Sequence, residues 1–228
     1  MTAVPPSSQI IAQHDAHAKH NNAKHDNALH ACMARAMQQP LFVQHRSQLL
    51  TLLKTHAVKR GHFTLASGKT SSVYLDTRQV SISAEGGWLI GWLFEALLAQ
   101  MPNTVDAVGG MALGAAPLTS AVLSQSVNAG RPFKAGFLVR PNAKAHGTQQ
   151  VIEGTLAPWM RIALLEDVIT TGGSLKKALH AIKQRYPDVC VSAIFAVVDR
   201  RSEAEAATPI TQPEIPLISL FQMQTLLD

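Results

Sequence analysis

The 228 residues are 46% hydrophobic, enough to bury one sizeable core, so their number suits a single domain with a tail. A net charge of +5 and a pI near 9.4 could serve nucleic acid. However, Lys and Arg are scattered and only 5% of residues are aromatic, with no basic block interleaved with them, so the surplus suits a polyanionic small molecule better. Cys32 and Cys190 make no disulfide or metal framework, the apolar stretch 86–101 is broken by Glu95 and too short to span a bilayer, and no basic-then-apolar leader opens the chain; a cytoplasmic protein off the membrane is expected.

Residues 1–40 hold Pro5-Pro6 and five of the ten histidines, and read as a mobile extension with room for a helix over 28–37. His14, His17 and His20 recur near one helical turn, yet no carboxylate or cysteine cluster completes a metal shell there. From Leu41 the pattern is globular. Leu49, Leu50, Leu52, Leu53 and Val58 predict an amphipathic helix that Gly61 ends; Phe63–Leu65 and Val73–Leu75 predict strands around the polar loop 66–72. Leu89, Leu93, Phe94 and Leu97 predict the next helix. Apolar runs at 105–108, 133–139, 162–165 and 191–198 then alternate with helical segments at 115–128 and 174–185, and Cys190, opening the last run, reads as a small buried hydrophobe. Alternation of this kind predicts an α/β fold, a mostly parallel sheet with helices on both faces and ligands at the carboxyl ends of its strands.

The most informative segment is Ile162-Ala163-Leu164-Leu165-Glu166-Asp167-Val168-Ile169-Thr170-Thr171-Gly172-Gly173-Ser174. Its apolar part suits a strand buried on both faces, its glycines let backbone amides approach an anion, and Leu175, Ala178, Leu179 and Ile182 continue as a helix whose N-terminus favours phosphate. Glu166 and Asp167 at the strand tip can take ribose hydroxyls or a Mg²⁺ held by a diphosphate, while the Thr and Ser hydroxyls bond phosphate oxygens. The bland alternative is a strand-to-helix turn with solvated acids. No Gly-Lys-Ser/Thr follows, so this is no Walker loop, and acids precede the glycines, unlike a dinucleotide fingerprint. Upstream, Arg140-Pro141-Asn142-Ala143-Lys144-Ala145-His146-Gly147-Thr148 has the composition of an exposed loop, and its cations suit a departing pyrophosphate unless it is merely a solvated basic loop.

The thirteen-residue run resembles the phosphoribosyl diphosphate (PRPP) signature of the type I phosphoribosyltransferases. Arg140-x-x-x-Lys144-x-His146-Gly147 with Ile152-Glu153-Gly154 resembles the mobile catalytic loop of the orotate phosphoribosyltransferases. Phe63-Thr64-Leu65-Ala66-Ser67-Gly68, Tyr74-Leu75-Asp76-Thr77-Arg78, the glycine-rich Gly109–Pro117 and Val198-Asp199-Arg200 are similar to further motifs of that family, in the same order. The resemblance implies a type I fold over 41–228 with a small N-terminal hood, and a Mg²⁺-dependent homodimeric pentosyltransferase of UMP biosynthesis with sites shared between subunits. It implies that Arg140, Lys144 and His146 hold the diphosphate and that Glu166 through Ser174 (Glu166, Asp167, Val168, Ile169, Thr170, Thr171, Gly172, Gly173, Ser174) cradle phosphate and ribose. Thr170 and Arg200 would bind orotate. Lys144 and Arg140 would stabilise the leaving group, Asp167 would serve as acid/base or cation-stabilising carboxylate, and His146 would assist a proton or donate a bond. The metal would be held mainly through PRPP, with Glu166 and Asp167 as candidate ligands. Ala66 and Pro141 stand where the family commonly has lysine, each removing a charge that would face substrate. The alternatives are a transferase for another base and a non-catalytic PRPP-sensing regulator.

Overall fold

The computed structural model describes residues 29, 31, 33–64, 70–141, 151–211 and 215–228. Helix α1 (Pro40–Leu52) starts with proline at its first turn, where no amide hydrogen is needed, and widens into a π-helical turn at Leu53–Ala57. There the Ala57 carbonyl accepts from Asp76 N (2.9 Å), and the chain goes extended into β1 (Val58–Thr64). Gly61 therefore does not stop a helix. It lies in β1, where the register with β2 (Thr70–Leu75) shifts between Arg60 and Phe63, a place where glycine eases a bulge. Thr70–Ser72, expected in a polar loop, belong to β2. This antiparallel pair is separate from the main sheet and forms the small hood.

After α2 (Arg78–Ser81), α3 (Ala84–Leu98) is capped by Ser83 accepting from Gly86 N. Then β3 (Ala107–Met111), α4 (Ala115–Asn128), β4 (Ala135–Val139), β5 (Ile152–Gly154), β6 (Arg161–Ile169), α5 (Gly173–Arg185), β7 (Cys190–Asp199), α6 (Glu203–Ala206), β8 (Leu217–Gln222) and α7 (Met223–Leu227) follow. The six-stranded sheet has the order β5-β4-β3-β6-β7-β8, with only β5 antiparallel. The sheet is thus mostly parallel, as predicted, but β5 and β8 escaped the sequence reading.

Strand alternation assigns the two cores. Ala163 and Leu165 of β6 and Phe195 and Val197 of β7 pack with Leu49, Leu93, Phe94, Leu118 and Val122 from α1, α3 and α4. Ile162, Leu164, Ile194 and Ala196 pack on the opposite face with Leu175, Ala178 and Ile182 of α5. Leu29, Met33 and Ala36 join the first core, so the packed unit begins before residue 41 and the extension ends earlier than expected. Cys190 is also a correction. It opens β7 at the rim of the sheet and is exposed, 3.6 Å from the Arg161 guanidinium. No described helix is long and apolar enough to cross a membrane.

Candidate active site

The chain leaves β3 for β4 on one side and returns to β6 on the other, so a crevice opens at the carboxyl ends of β3 and β6, where sheets of this kind bind ligands. Both glycine-bearing turns lie there. After β6, Thr170, Thr171 and Ser174 are exposed, and Gly172 adopts φ 72° and ψ 14°, a left-handed conformation costly for any residue with a Cβ. A Cβ there would also strike Ile210. No side chain caps the start of α5, so its first amides remain available to an anion. The turn lines a cavity of about 240 Å³ with Glu166 and Lys177, at the place where the sequence predicts an anion site.

A second cavity of about 390 Å³ shares Glu166, Val168, Thr170 and Ser174 with the first and extends to Tyr74–Arg78, Met111–Gly114, Asp167 and Arg200. The two acids are adjacent at the tip of β6 and both line this cavity, near enough for Asp167 to act on the Glu166 carboxyl. Asp167 accepts from Thr77 Oγ1 at 3.0 Å and from Val168 N at 2.9 Å, and it lies directly over Gly114, so its carboxylate is held in place with lone pairs still available. Sequence reasoning gave Thr77 no role. A threonine opening a helix looks like a cap, and nothing local says that its hydroxyl reaches an aspartate 90 residues away.

Glu166 is only 6% exposed and its Oε2 finds no partner among the described residues. Burial first, and then the neighbouring Asp167, push its carboxyl up to about 8, so at neutral pH it mostly carries a proton. In the unfolded chain the same group ionises near 4.5, so the fold binds the extra proton between those values. Stability from this group is complete below about 4.5 and is lost as pH rises through about 8. Glu166→Gln, which cannot ionise, is expected to gain in melting temperature over wild type steadily from pH 5 to 8.5; parallel curves would refute the assignment.

On the hood side, burial would raise Asp76, but hydrogen bonds from Arg78 Nε (2.9 Å) and Gln79 Nε2 (3.2 Å) outweigh it and hold the carboxyl below its ordinary value. Arg200 is half-buried at the end of β7 and lines the larger cavity beside Thr170, so the two predicted base-binding residues do come together. Its backbone N donates to Ile169 O at 2.9 Å. Arg200 makes no ion pair with Asp199, which is instead paired with Arg201 beneath the surface.

Arg140 ends near β4, with its N donating to Val151 O and its guanidinium 3.2 Å from Glu153. Both side chains are more than a third exposed, so the pair is weak and easily exchanged for a stronger anion, and Arg140 lines neither cavity here. Lys144, His146 and Ala66 lie outside the described residues. Among the described residues no cluster of three or more His, Cys, Asp or Glu side chains could hold a metal ion alone.

A mostly parallel sheet with a detached hood, and a phosphate turn following two acids on its central strand, defines the type I phosphoribosyltransferase class. No protein-family model matches the chain. The orotate phosphoribosyltransferase of Aquifex aeolicus is 38% identical over 190 residues, covering 82% of this chain and 100% of that protein. The crystal structure of Mycobacterium tuberculosis orotate phosphoribosyltransferase with Fe(III) dicitrate superposes with a TM-score of 0.67 at 34% identity, over 80% of this chain and 98% of that one. The same enzyme in complex with PRPP gives a TM-score of 0.64 at 28% identity, over 85% and 96% of the two chains. The chain belongs to the orotate phosphoribosyltransferase family.

Proposed function

We propose that the chain transfers the 5-phosphoribosyl group of PRPP to orotate, releasing pyrophosphate and orotidine 5′-monophosphate on the route to UMP. The observation that carries this reading is one continuous site, running from the phosphate turn through Asp167 to the Arg200 guanidinium. The turn amides, Thr170, Thr171 and Ser174 suit the 5-phosphate. Asp167 and the protonated Glu166 suit ribose hydroxyls as acceptor and donor. Arg200 offers a planar fork to the planar carboxylate of orotate, with Thr170 beside it.

In the reaction the bond from the anomeric carbon to the diphosphate oxygen breaks, a bond to the base ring nitrogen forms, and the nitrogen's proton leaves with the medium or pyrophosphate. Positive charge builds on the ribose as this happens, close to Asp167, so the protein's work is to orient the two substrates and to stabilise separated charge. Arg140 and Lys144 are assigned to the departing pyrophosphate, and His146 to a proton or a hydrogen bond there. The Asp167 carboxylate is a suitable hard oxygen donor for Mg²⁺, and Glu166 beside it would join by giving up its proton to the medium. Bound chiefly through diphosphate oxygens, Mg²⁺ would offset leaving-group charge. A homodimer in the cytoplasm with loops reaching across to the partner's site completes the reading.

Loss of orotate absorbance on adding PRPP, with and without Mg²⁺, tests it: Mg²⁺-dependent loss is expected, and no loss with either overturns it. The shared site has its own test. Lys144→Ala is expected to lower kcat far more than it changes orotate KM, because its charge matters most as pyrophosphate departs. Mixing it with inactive Asp167→Asn should restore part of the activity through hybrid dimers carrying one intact site. No recovery after verified subunit exchange counts against sharing.

A further inference from the structure

Two consecutive arginines follow β7, and the structure gives them different surroundings. Arg200 lines the large cavity. Arg201 turns back into the protein, where its side chain is 9% exposed and that of Asp199 only 3%. Its Nε lies 3.1 and 3.2 Å from the two Asp199 oxygens, its Nη2 2.8 Å from Oδ2, and its backbone N 3.0 Å from Oδ1. We propose that Arg201 is a positioning residue that ties the base-binding arginine and the phosphate turn to one buried ion pair.

The tie to Arg200 is direct. Asp199 stands in register with Ile169 at the last rung of β6 and β7, and Arg200 N donates to Ile169 O. Fixing the carboxylate of residue 199 to the side chain and amide of residue 201 leaves the residue between them little freedom. Successive side chains of an extended backbone point opposite ways, so an inward Arg201 sends Arg200 into the cavity. A lysine would keep the charge but not the fork.

The tie to the phosphate turn runs through residues 202–211. Arg201 Nη1 reaches the Thr208 carbonyl at 3.4 Å. Between them, Ser202 and Glu205 cap α6 reciprocally, Ser202 N donating to Glu205 Oε2 at 2.8 Å and Glu205 N to Ser202 Oγ at 3.3 Å. Two residues beyond Thr208, Ile210 packs on the Cα of Gly172, the left-handed residue that aims the amides of the turn. One ion pair therefore holds both ends of the substrate site at a fixed spacing, which a transfer between two separately bound substrates needs.

The substrates used in the test rest on the phosphoribosyl reading above. Arg201→Met is expected to raise KM for both orotate and PRPP by about tenfold, the size of weakened charge-assisted bonds, with less change in kcat. Ile210→Ala should raise KM for PRPP alone. Adding Arg201→Met to Arg200→Ala should worsen orotate KM no further, since Arg201 acts there through Arg200. A purely structural role would lower kcat through a smaller active fraction and leave both KM values unchanged, and that result, or full additivity with Arg200→Ala, overturns the proposal. Should Arg201→Met fail to fold, Arg201→Lys and Ile210→Ala carry the same comparison. Hydrogen exchange of the unliganded protein separates this proposal from the functional reading. Faster exchange in both 169–176 and 199–211 in the Arg201 variant supports it even if the wild type ignores orotate, and unchanged exchange overturns it.

Discussion

Gly114→Ala is expected to lower kcat/KM about a hundredfold while the protein melts close to the wild-type temperature, because a displacement of about 1 Å at reacting groups has effects of that order. The added methyl would sit 2.5 Å from Asp167 Oδ1 and 2.8 Å from its Cγ, so one of the two must move. Gly114 has φ −53° and ψ −44°, a conformation alanine adopts freely, so the backbone has no reason to yield. The carboxylate must swing away, giving up Thr77 Oγ1 or Val168 N and leaving the place that the proposed reaction assigns to it. A glycine usually protects a fold; here it protects the position of a carboxylate. Steady-state kinetics beside thermal melting decide the matter: a variant with wild-type kcat/KM would remove Asp167 from the reacting centre, and one that unfolds would make Gly114 a packing residue.

What could be read from sequence divides along local and non-local lines. The helix at 115–128 has the bounds its pattern predicts, and the phosphate turn was legible because strand, acids, glycines and helix are contiguous. By contrast β5 is three residues long and is a strand only because β4 runs beside it, and β8 follows Pro216 in a run too short to stand out before its pairing with β7 is known. Leu29, Met33 and Ala36 are spaced i, i+4, i+7 within the helix that the sequence allows over 28–37, but the surrounding histidines and polar residues gave no sign that this stripe is buried in the core. The two arginines after β7 look alike in sequence. Only the burial of Asp199 and the alternation of the strand say which one faces the cavity.

That distinction makes Arg200 the residue on which the proposed base contact is tested. Arg200→Ala is expected to weaken orotate binding by about 1.5–3 kcal/mol, roughly ten- to a hundredfold, while KM for PRPP barely changes. Two other arginines near the site are already paired. Arg201 is committed to Asp199, and Arg78, which lines the same cavity, is anchored through Nε to Asp76, so it keeps its terminal nitrogens but is held on the hood side, away from β7. The guanidinium of Arg200 has no side-chain partner among the described residues, so a carboxylate arriving there gains a charge-assisted pair and breaks none. The same geometry predicts discrimination. Uracil lacks the carboxylate and would leave the half-buried guanidinium short of an acceptor, so it should be a poor substrate for the wild type. In Arg200→Ala that penalty disappears along with the attraction, and the preference for orotate over uracil should shrink mostly through a loss on orotate. Initial rates with orotate, uracil and a purine at saturating PRPP, for wild type and variant, measure this directly. A wild type that prefers any base other than orotate would sink the base assignment while leaving phosphoribosyl transfer intact, and an unchanged orotate-to-uracil ratio in Arg200→Ala would move the carboxylate contact elsewhere in the cavity.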